Sequence, residues 1–305
     1  MADRREEVLR GLLSQPKYVS AKYFYDQRGS ELFESITHLS EYYLTRTELA
    51  LVELNLAEIA AAIGVGVCLV EYGSGSSRKI RQLLDHVKPA AYVPVDISGE
   101  HLESSAWALH ADYPWLHVYP TCADLSQPFE LPHSVAGYPK VGFYPGSSIG
   151  NFPPVEAIRF LRNAAATLGS GSRFIIGVDR KKATSTLEAA YNDAQGITAE
   201  FNVNLLAHVA AVLGVEIDLH NFKHRAFYNA EEGCIQMFLD AVEPYRIEVS
   251  GVQVVFEAGE SIHTENSYKY DLEEFIALAR GGGYEQVASW TDSNQWFSVI
   301  VFETA

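Results

Sequence analysis

The chain has 305 residues, of which 48% are hydrophobic and 20% charged, the composition of a globular protein. At roughly 150 residues per domain, this length predicts two domains. The 39 acidic residues outnumber the 23 lysines and arginines, so the formal net charge is -16, and such a surface repels the phosphate backbone of nucleic acids. These figures exclude disordered and fibrous chains and argue against a nucleic-acid-binding protein.

Cysteine usage and the N-terminal sequence indicate where the protein works. Cys68, Cys122 and Cys234 lie far apart and form no CxxC pair, so neither a disulfide framework nor a zinc cluster is expected. The N-terminus, MADRREEVLRGLL, lacks the apolar stretch of a signal peptide, and the longest apolar run, 59–70, is shorter than the roughly 20 residues that a bilayer requires. We therefore expect a cytoplasmic protein without a membrane-spanning segment.

The predicted elements begin with a polar and aromatic segment: a helix at 4–13, an aromatic loop at 18–25 and a helix at 31–39. The pattern LTRTELALVELNLAEIAAAI then has apolar residues at helical spacing. Thr45 or Thr47 is a suitable N-cap for this helix, and Gly64 is a suitable C-terminal stop.

From residue 67 to residue 178, strands alternate with helices. The predicted strands are 67–71, 91–95, 116–119, 141–144 and 172–178, and the predicted helices are 78–87, 100–113 and 154–167. Such an alternation predicts an α/β domain with a mostly parallel sheet covered by helices on both faces.

The alternation stops between about residues 182 and 269. Two helical stretches, 185–193 and 197–213, precede strand-like segments near 227 and at 235–239, 246–249 and 252–256. We interpret this region as an inserted α+β lobe. The chain then returns to a helix at 272–279 and two strands, 284–289 and 296–302, which should close the sheet as a hairpin.

A glycine-containing turn follows the first of the alternating strands. The motif EYGSG, residues 71–75, lets the backbone approach a ligand closely. Arg78 stands where a dinucleotide fingerprint needs its third glycine, which argues against a pyrophosphate site and a nicotinamide-dependent oxidoreductase. Asp96 ends the next strand and could accept both hydroxyls of a ribose, and Asp124 ends another. This pattern favours a nucleoside site of the kind that S-adenosylmethionine requires; a tight turn with two surface aspartates is the alternative.

The segment FYPGSSIGNF, residues 143–152, follows another strand, at the edge where open α/β sheets bind ligands. Its glycines and the amide of Asn151 could frame a small polar substrate. A proline-glycine turn, with Asn151 capping the helix that begins near Pro154, explains the same residues equally well. The sequence alone leaves both interpretations open.

Other common catalytic patterns are missing from the sequence. His220 and His224 are four residues apart, but the segment HNFKHRAFY, residues 220–228, contains no third ligand or carboxylate, so we interpret them as a structural pair and expect no metal. No GxxxxGK[ST] motif occurs, which argues against the commonest nucleotide triphosphatases. The clustered N-terminal tyrosines would ordinarily be packing residues.

Several longer motifs extend over nearly the whole chain: YFYDQRGSELF (23–33), LSEYYLTRTE (39–48), EYGSGSSRK (71–79), PVDIS (94–98), GSSIGNF (146–152), GVD (177–179), AYND (190–193), FNxN (201–204) and ENSxK (265–269). Together they resemble the histidine N-alpha-methyltransferases of the ergothioneine pathway. The resemblance implies a class I (Rossmann-like) methyltransferase domain over 47–181 and 270–305. A second α+β lobe, which binds the substrate, would comprise 1–46 and 182–269.

The resemblance also implies the residues that bind each ligand. Contacts with S-adenosylmethionine are implied for Gly73, Lys79, Asp96 at the ribose and Asp124 near the adenine. Contacts with the amino-acid substrate are implied for Tyr25, Tyr42 and Gly146 at the amine, Asn151 and Tyr191 at the carboxylate, Glu265 and Ser267 at the imidazole, and Met237 along the side chain. The sequence departs from the family at Tyr72, where we expect an aliphatic residue, and at Asn266.

The implied reaction is successive methylation of the α-amine of L-histidine to hercynine, with S-adenosylhomocysteine released each time. A sulfonium methyl is already electrophilic, so the protein mainly has to position a neutral amine in line with it. Tyrosine faces tolerate the increasingly cationic nitrogen, and the phenol of Tyr25 or Tyr42, or solvent, could serve as the base. A carboxylate such as Glu265 beside the Ser267 hydroxyl would select an imidazole.

Two alternatives remain open at this stage. A relative that acts on tryptophan or a prenylated tryptophan would share the fold and cofactor, and Glu265 is the residue that argues against it. A catalytically silent cofactor-binding protein is the alternative from another functional class. We expect a monomer in which L-histidine is the small-molecule partner.

Overall fold

The computed structural model describes residues 2–75, 78–97, 99–125 and 127–305. Ser76, Ser77 and Ser98, which belong to the motifs quoted above, lie outside the described residues. The described helices are α1 (Ala2–Leu13), α2 (Gln27–Thr37), α3 (Tyr43–Leu54), α4 (Leu56–Ile63), α5 (Arg78–Val87), α6 (Gly99–Asp112), α7 (Pro154–Leu168), α8 (Thr184–Tyr191), α9 (Ile197–Leu213) and α10 (Leu272–Gly281). Short 3-10 helices lie at Ala21–Phe24, His133–Val135, Ser148–Asn151 and Leu219–Asn221.

The described strands are β1 (Lys17–Tyr18), β2 (Cys68–Tyr72), β3 (Ala91–Asp96), β4 (His117–Val118), β5 (Thr121–Cys122), β6 (Lys140–Tyr144), β7 (Arg173–Asp179), β8 (Phe222–Asn229), β9 (Cys234–Ala241), β10 (Tyr245–Val249), β11 (Val252–Phe256), β12 (Ser261–Tyr268), β13 (Tyr284–Thr291) and β14 (Phe297–Thr304). In the part of the chain that the structure describes, no helix is long and apolar enough to cross a membrane.

The chain divides into two compact units. The N-terminal unit comprises Met1–Tyr43 and Lys182–Ser267, and the C-terminal unit comprises Leu44–Lys181 and Tyr268–Ala305. The boundaries expected from the sequence, after residues 46, 181 and 269, lie within a few residues of these divisions. The functions expected of the two lobes stay predictions.

The C-terminal unit contains an eight-stranded sheet in the order β13-β14-β7-β6-β2-β3-β4, with β5 also paired to β3. Strands β2, β3, β6 and β7 run parallel to one another. The antiparallel hairpin of β13 and β14 completes the sheet beside β7, as predicted. The strand order reverses between β2 and β6, and ligands of open α/β sheets bind at the carboxyl ends of the strands at such a switch point.

Strands β2 and β3 are buried almost throughout, as expected for parallel strands covered on both faces. Tyr72, where the family resemblance led us to expect an aliphatic residue, lies at the end of β2. Its ring packs against the rings of Phe129, Tyr144, Phe160 and Phe174 at centroid distances of 5.2–6.3 Å. The departure at Tyr72 is therefore a core substitution inside an aromatic cluster.

The single helix predicted from Thr45 is wrong, because α3 and α4 are separate helices on either side of Asn55. The side-chain amide of Asn55 donates a hydrogen bond to the carbonyl of Leu51 at 2.8 Å, a local bond that competes with the helical ladder. Helix α3 begins at Tyr43, so neither Thr45 nor Thr47 is its N-cap. Gly64 ends α4 with a φ of 90°, as predicted.

The N-terminal unit contains a four-stranded sheet in the order β1-β12-β9-β8 and a separate two-stranded sheet of β10 and β11. Helix α9 packs against α2 and contacts β8 and β9. Strand β12, which carries Glu265 and Ser267, was not predicted, and the aromatic loop contains the short strand β1 and a 3-10 helix. Phe24 and Phe201 stack at 4.5 Å in the aromatic core between α9 and this segment.

Candidate active site

In the C-terminal unit, three predicted cofactor residues follow the carboxyl ends of neighbouring strands. Gly73 follows β2 with a φ of 73° and donates its N–H to the carbonyl of Val95 at 2.8 Å. Asp96 ends β3, and its Oδ2 accepts the N–H of Gly75 at 3.4 Å. Asp124 follows β5, which pairs in parallel with the end of β3. The structure therefore brings Gly73, Asp96 and Asp124 to the same edge of the sheet.

The backbone around Gly73 is open to a ligand. Among the described residues, a Cβ atom at this position would meet only the Leu125 Cδ1 atom, at 3.9 Å. The positive φ nevertheless strains any side-chain-bearing residue here, so glycine is needed for the turn itself.

The fourth predicted cofactor residue, Lys79, lies on α5 and forms an ion pair that the sequence analysis missed. Its Nζ lies 2.7 Å from Oε2 of Glu48, on α3. The N–H of Gly146, which follows β6, donates to both carboxylate oxygens of Glu48 at 2.9 Å. Glu48 thus joins a predicted cofactor residue to a predicted substrate residue. The only sequence signal was its place in the motif LSEYYLTRTE.

The loop that carries Gly146 and Asn151 has a defined conformation. Ser147 adopts the left-handed region at a φ of 58°, and its hydroxyl accepts the N–H of Asp179 at 2.9 Å. The segment ends in the 3-10 helix Ser148–Asn151, and the N-cap of α7 is Pro153. The interpretation of Asn151 as the helix cap is therefore wrong, and Asn151 belongs to the loop at the carboxyl end of β6.

A second buried ion pair lies beside this loop. Lys269 Nζ and Asp179 Oδ2 are 2.8 Å apart, and both side chains have 0% exposure. Asp179 ends β7, and its backbone N–H is the donor to Ser147. Asp179 of the GVD motif and Lys269 of the ENSxK motif had no expected role. They form an ion pair next to the loop, and Asp179 is also hydrogen-bonded to the loop through Ser147.

The carboxyl of Glu71, next to the glycine turn, is also buried. It accepts the phenolic hydrogen of Tyr92. Burial raises the pKa of Glu71 to about 8, although the Tyr92 hydrogen bond and the charge of Lys79 oppose that rise. A protonated carboxylic acid at neutral pH is the result of withdrawing this group from water.

In the N-terminal unit, the predicted tyrosines form a connected aromatic row. The ring of Phe33 contacts Tyr25 at 5.9 Å and Tyr42 at 6.3 Å, and Tyr42 contacts Tyr191 at 6.3 Å, all three edge-on. The Tyr191 hydroxyl donates to the Ser267 Oγ at 2.8 Å. The structure therefore brings together Tyr25, Tyr42, Tyr191 and Ser267, and their roles at the substrate stay predictions.

Strand β12 interrupts the regular alternation of side chains. The hydroxyl of Thr264 reaches Asn202 on α9, and Ser267 reaches Tyr191 on α8, so both side chains point toward helices although they are three residues apart. A regular strand would direct them to opposite faces. The burial pattern of β12, in which Ile262, Thr264, Ser267 and Tyr268 are buried, likewise departs from a strict period of two between Thr264 and Ser267.

Strand β12 lies beside β9, which carries the buried Met237. Glu265 and Ser267 are thus on the strand next to the predicted side-chain pocket residue. Asn266, the departure noted between them, accepts hydrogen bonds from Gln236 at 3.4 Å and from His263 at 2.9 Å. The Asn266 side chain therefore forms hydrogen bonds within β12 and to the neighbouring strand β9.

A neutral hydrogen-bond network, also missed by the sequence analysis, holds this part of the unit. Asn202 has no exposed surface; its Nδ2 donates to His224 Nδ1 at 2.8 Å and to the Phe238 carbonyl at 2.9 Å. Its Oδ1 accepts from Thr264 at 2.8 Å. His224 Nε2 lies 2.9 Å from the Tyr191 carbonyl. Because an amide nitrogen only donates and a carbonyl only accepts, the network assigns the neutral Nε2–H tautomer to His224.

His224 was expected to be structural, and these contacts give it that role. Burial lowers the pKa of His224, while the Tyr191 carbonyl and the charges of Asp193 and Asp240 oppose the shift. Among the described residues, no group of three or more His, Cys, Asp and Glu side chains is arranged to hold a metal ion.

The sequence is similar to known methyltransferases. Residues 4–304 match a family described as histidine-specific, SAM-dependent methyltransferases. The sequence is 40% identical to a histidine N-alpha-methyltransferase of Mycolicibacterium smegmatis, over 94% of this chain and 91% of the relative. It is 35% identical to the protein of the same name from Mycobacterium tuberculosis, with the same coverage.

The fold has counterparts among solved structures. An S-adenosylmethionine-dependent methyltransferase from Clostridium acetobutylicum superposes with a TM-score of 0.52 at 13% identity, covering 90% of this chain and 98% of that one. Together with the mostly parallel sheet, this similarity confirms the predicted class I methyltransferase fold.

Proposed function

Because the chain belongs to the family of S-adenosylmethionine-dependent, histidine-specific methyltransferases, we propose that it methylates the α-amine of L-histidine three times. The product is hercynine, a precursor in ergothioneine biosynthesis, and each step releases S-adenosylhomocysteine. The single structural observation that carries the substrate assignment is the 2.8 Å hydrogen bond between Tyr191 and Ser267. It places a side chain proposed for the substrate carboxylate directly beside one proposed for the imidazole.

The residues at the carboxyl edge of the parallel sheet fit the cofactor of this family. The open backbone at Gly73 admits a closely approaching ligand, the Asp96 carboxylate can accept ribose hydroxyls, and the Lys79 ammonium can bind a carboxylate. Asp124 would lie near the adenine. When bound, S-adenosylmethionine supplies an electrophilic methyl group, and the protein residues orient the amine toward it, a contribution of up to roughly 7–11 kcal/mol for ideal positioning.

The tyrosine row provides the surroundings of the amine. Tyrosine faces attract a cationic nitrogen by about 0.5–2 kcal/mol each, so Tyr25 and Tyr42 can accommodate the amine as it gains methyl groups and charge. The N–H of Gly146 is bonded to Glu48, so the carbonyl oxygen of Gly146 is the group that would accept a hydrogen bond from the amine. The proton that the amine loses would pass to solvent, directly or through the phenol of Tyr25 or Tyr42, which would accept it while donating its own hydroxyl proton onward.

Glu265 is the residue proposed to select histidine over tryptophan or a prenylated tryptophan, the indole substrates of the alternative hypothesis. A carboxylate beside the hydroxyl of Ser267 satisfies both nitrogens of an imidazole, whereas an indole has a single N–H donor. The buried Met237 would line the same pocket. A tryptophan or a prenylated tryptophan would leave part of this polar pair without a partner, at a cost of about 1–3 kcal/mol.

The reaction can be tested by mass spectrometry of the purified protein, incubated with S-adenosylmethionine and an equimolar mixture of the common amino acids. We expect histidine to gain three methyl groups and tryptophan to remain unchanged. Methylation of another amino acid would refute the pocket assignment while leaving the cofactor assignment intact. The absence of any product would favour the catalytically silent binding protein.

The pocket assignment has its own test in the variant Glu265→Ala. Calorimetry should show a large loss of histidine affinity, of about tenfold or more, with S-adenosylhomocysteine affinity nearly unchanged. Equal losses for the two ligands would mean that Glu265 supports the fold and does not select the imidazole.

We further propose that the protein acts as a cytoplasmic monomer that does not bind nucleic acid. The net charge of -16 and the three widely spaced cysteines support this proposal. Light scattering after size-exclusion chromatography should give the mass of one chain, and a dimer mass would contradict it.

A further inference from the structure

The carboxylate of Glu48 is buried beside the proposed cofactor site. Its side chain is 3% exposed, and its oxygens accept from the Lys79 ammonium at 2.7 Å and from the Gly146 N–H at 2.9 Å. An ionised carboxylate is withdrawn from water only where charged or hydrogen-bonding partners compensate. Glu48 therefore depends on Lys79 and Gly146, and both of these depend on Glu48 for their positions.

Two glycines make room for this ion pair. A Cβ atom at Gly146 would lie 2.7 Å from the Lys79 Nζ, and one at Gly177 would lie closer to the Glu48 Oε1 than van der Waals contact allows. Gly177 is inside the central strand β7, where glycine weakens a sheet and commonly marks a close approach of another group. The surrounding backbone is thus shaped for the Glu48 carboxylate and the Lys79 ammonium.

The two partners differ in their access to solvent. Lys79 is 23% exposed, whereas Glu48 is 3% exposed, so a ligand at this site meets the ammonium and not the carboxylate. An ammonium has three N–H donors, and the bond to Glu48 uses one of them. A flexible lysine side chain loses rotamer entropy when it binds a ligand, and its bond to Glu48 reduces that loss before the ligand arrives.

We infer that Glu48 is a positioning residue of the cofactor site, one that fixes the Lys79 ammonium for the carboxylate of the cofactor's amino-acid tail. Through the Gly146 N–H, Glu48 also fixes the first residue of the loop that ends at Asn151. This inference rests on the proposed cofactor contact of Lys79. The new element is Glu48, on which the contact between Lys79 and the cofactor would depend.

The test compares two ligands on the full-length variant Glu48→Gln, which keeps the shape and one acceptor oxygen of the side chain. S-adenosylhomocysteine has the amino-acid tail, and 5′-methylthioadenosine has the same nucleoside without it. We expect calorimetry to show about a tenfold or greater loss of S-adenosylhomocysteine affinity, the size expected for a hydrogen bond to a charged group. The affinity for 5′-methylthioadenosine should stay within about twofold of the wild type.

The matched control is Glu53→Gln, on the exposed face of the same helix, which should leave both affinities unchanged. A purely structural role of Glu48 would lower both affinities equally, and an unimportant Glu48 would lower neither; each result would overturn the inference. If wild-type protein bound neither ligand, the proposed cofactor site itself would fail, independently of Glu48.

The double variant Glu48→Gln/Lys79→Gln keeps the inference testable if the single variant does not fold, because it leaves no unpaired buried charge. Its S-adenosylhomocysteine affinity should equal that of Lys79→Gln alone, since Glu48 acts through Lys79. A further loss of tenfold or more in the double variant would show that Glu48 acts by another route and would overturn the inference.

Discussion

The most deeply buried polar groups of the two units are satisfied by different chemistry. In the C-terminal unit, buried charges are paired: Glu48 with Lys79, and Asp179 with Lys269. In the N-terminal unit, neutral side chains are hydrogen-bonded to one another: Asn202, His224 and Thr264, and separately Tyr191 and Ser267. The first arrangement fails when one charge is removed, because the other then remains buried without a partner.

The neutral network of the N-terminal unit fails in a different way. Each member has a fixed role as donor or acceptor, so a substitution that removes one member leaves several others unsatisfied. Its titratable member, His224, bonds correctly only in the neutral form. We therefore expect the C-terminal unit to respond most strongly to loss of charge, and the N-terminal unit to loss of Asn202 and to acid.

The largest effect should come from Lys269→Met, which leaves the Asp179 carboxylate buried at 0% exposure without its counter-ion. Removing one partner of a buried pair costs about 3–5 kcal/mol, so the free energy of unfolding measured in urea should fall by that amount. Lys181→Met is the matched control, because Lys181 pairs with Glu274 at 2.7 Å but is 36% exposed. Its cost should be below about 1 kcal/mol; equal costs would contradict the distinction.

The corresponding change in the N-terminal unit is Asn202→Ala. It removes the partner of His224, the Phe238 carbonyl and Thr264 at once, and we expect the free energy of unfolding to fall by about 3 kcal/mol. Histidine affinity should fall more than S-adenosylhomocysteine affinity, because His224 and Thr264 connect Asn202 to Tyr191 and β12. Asn192→Ala, at an exposed asparagine, should cost under about 1 kcal/mol. Similar losses in the two variants would refute a special role for the buried amide.

The next largest effect should come from Glu71, the buried carboxyl of the C-terminal unit that stays protonated at neutral pH. Its pKa of about 8 in the folded protein exceeds its ordinary value of 4.5, so the folded state keeps a proton that the unfolded state has lost between these values. The stability of the wild type should therefore decline as pH rises through this window, by at most about 1.4 kcal/mol per pH unit. Glu71→Gln should remove this decline in urea unfolding at pH 5.5 and 7.

The charges that face Glu71 are those of Lys79, Asp96 and Glu48, and the glutamine variant leaves them in place. Glu53→Gln, which changes an exposed carboxylate, should keep the wild-type pH dependence. If Glu71→Gln also kept it, the carboxyl would have to be ionised in the folded protein at neutral pH.

The sequence predicts the elements whose periodicity is local. Strand β2 and helix α9 were expected almost at their observed bounds, because continuous apolar runs and helical spacing are visible without tertiary information. Strand β12 was missed because its alternation is interrupted between Thr264 and Ser267, which removes the period of two that predicts a strand. The break at Asn55 was missed because an asparagine within a helical pattern ends a helix only when its side chain bonds to the backbone.

Site residues at strand ends are visible in the sequence, whereas site residues that depend on contacts with distant parts of the chain are not. Gly73 and Asp96 lie at strand ends, a position that the sequence indicates directly. Glu48 has the pattern of an ordinary helical glutamate, and its burial becomes visible only when Gly146 and Gly177 approach from distant parts of the chain. Asn202 and His224 likewise acquire their roles from each other, through a contact between a helix and a strand.

The smallest expected effect is the acid response of the N-terminal unit, which depends on His224. Burial lowers the pKa of His224 below its ordinary value of 6.5, so the stability that the neutral ring provides is complete above pH 6.5 and is lost as pH falls through the folded-state pKa. A proton on Nδ1 would face the Asn202 Nδ2, which is itself a donor. Flipping the amide would instead break its bonds to Phe238 and Thr264.

His224→Gln offers an acceptor to Asn202 and a donor to the Tyr191 carbonyl without titrating. Between pH 7 and pH 5, the wild type should therefore lose more stability than this variant. The measurement is urea unfolding without ligand, because free histidine titrates in the same range. Asp193 and Asp240 face this position in both proteins. Their pKa values lie below the ordinary value of 3.8, so both carboxylates stay charged between pH 7 and pH 5. His220→Gln, at an exposed histidine, is the control and should lose as much stability between pH 7 and pH 5 as the wild type. If His224→Gln lost the same amount, protonation of His224 would not destabilise the network. The contrast between the two units would then depend on Asn202 alone.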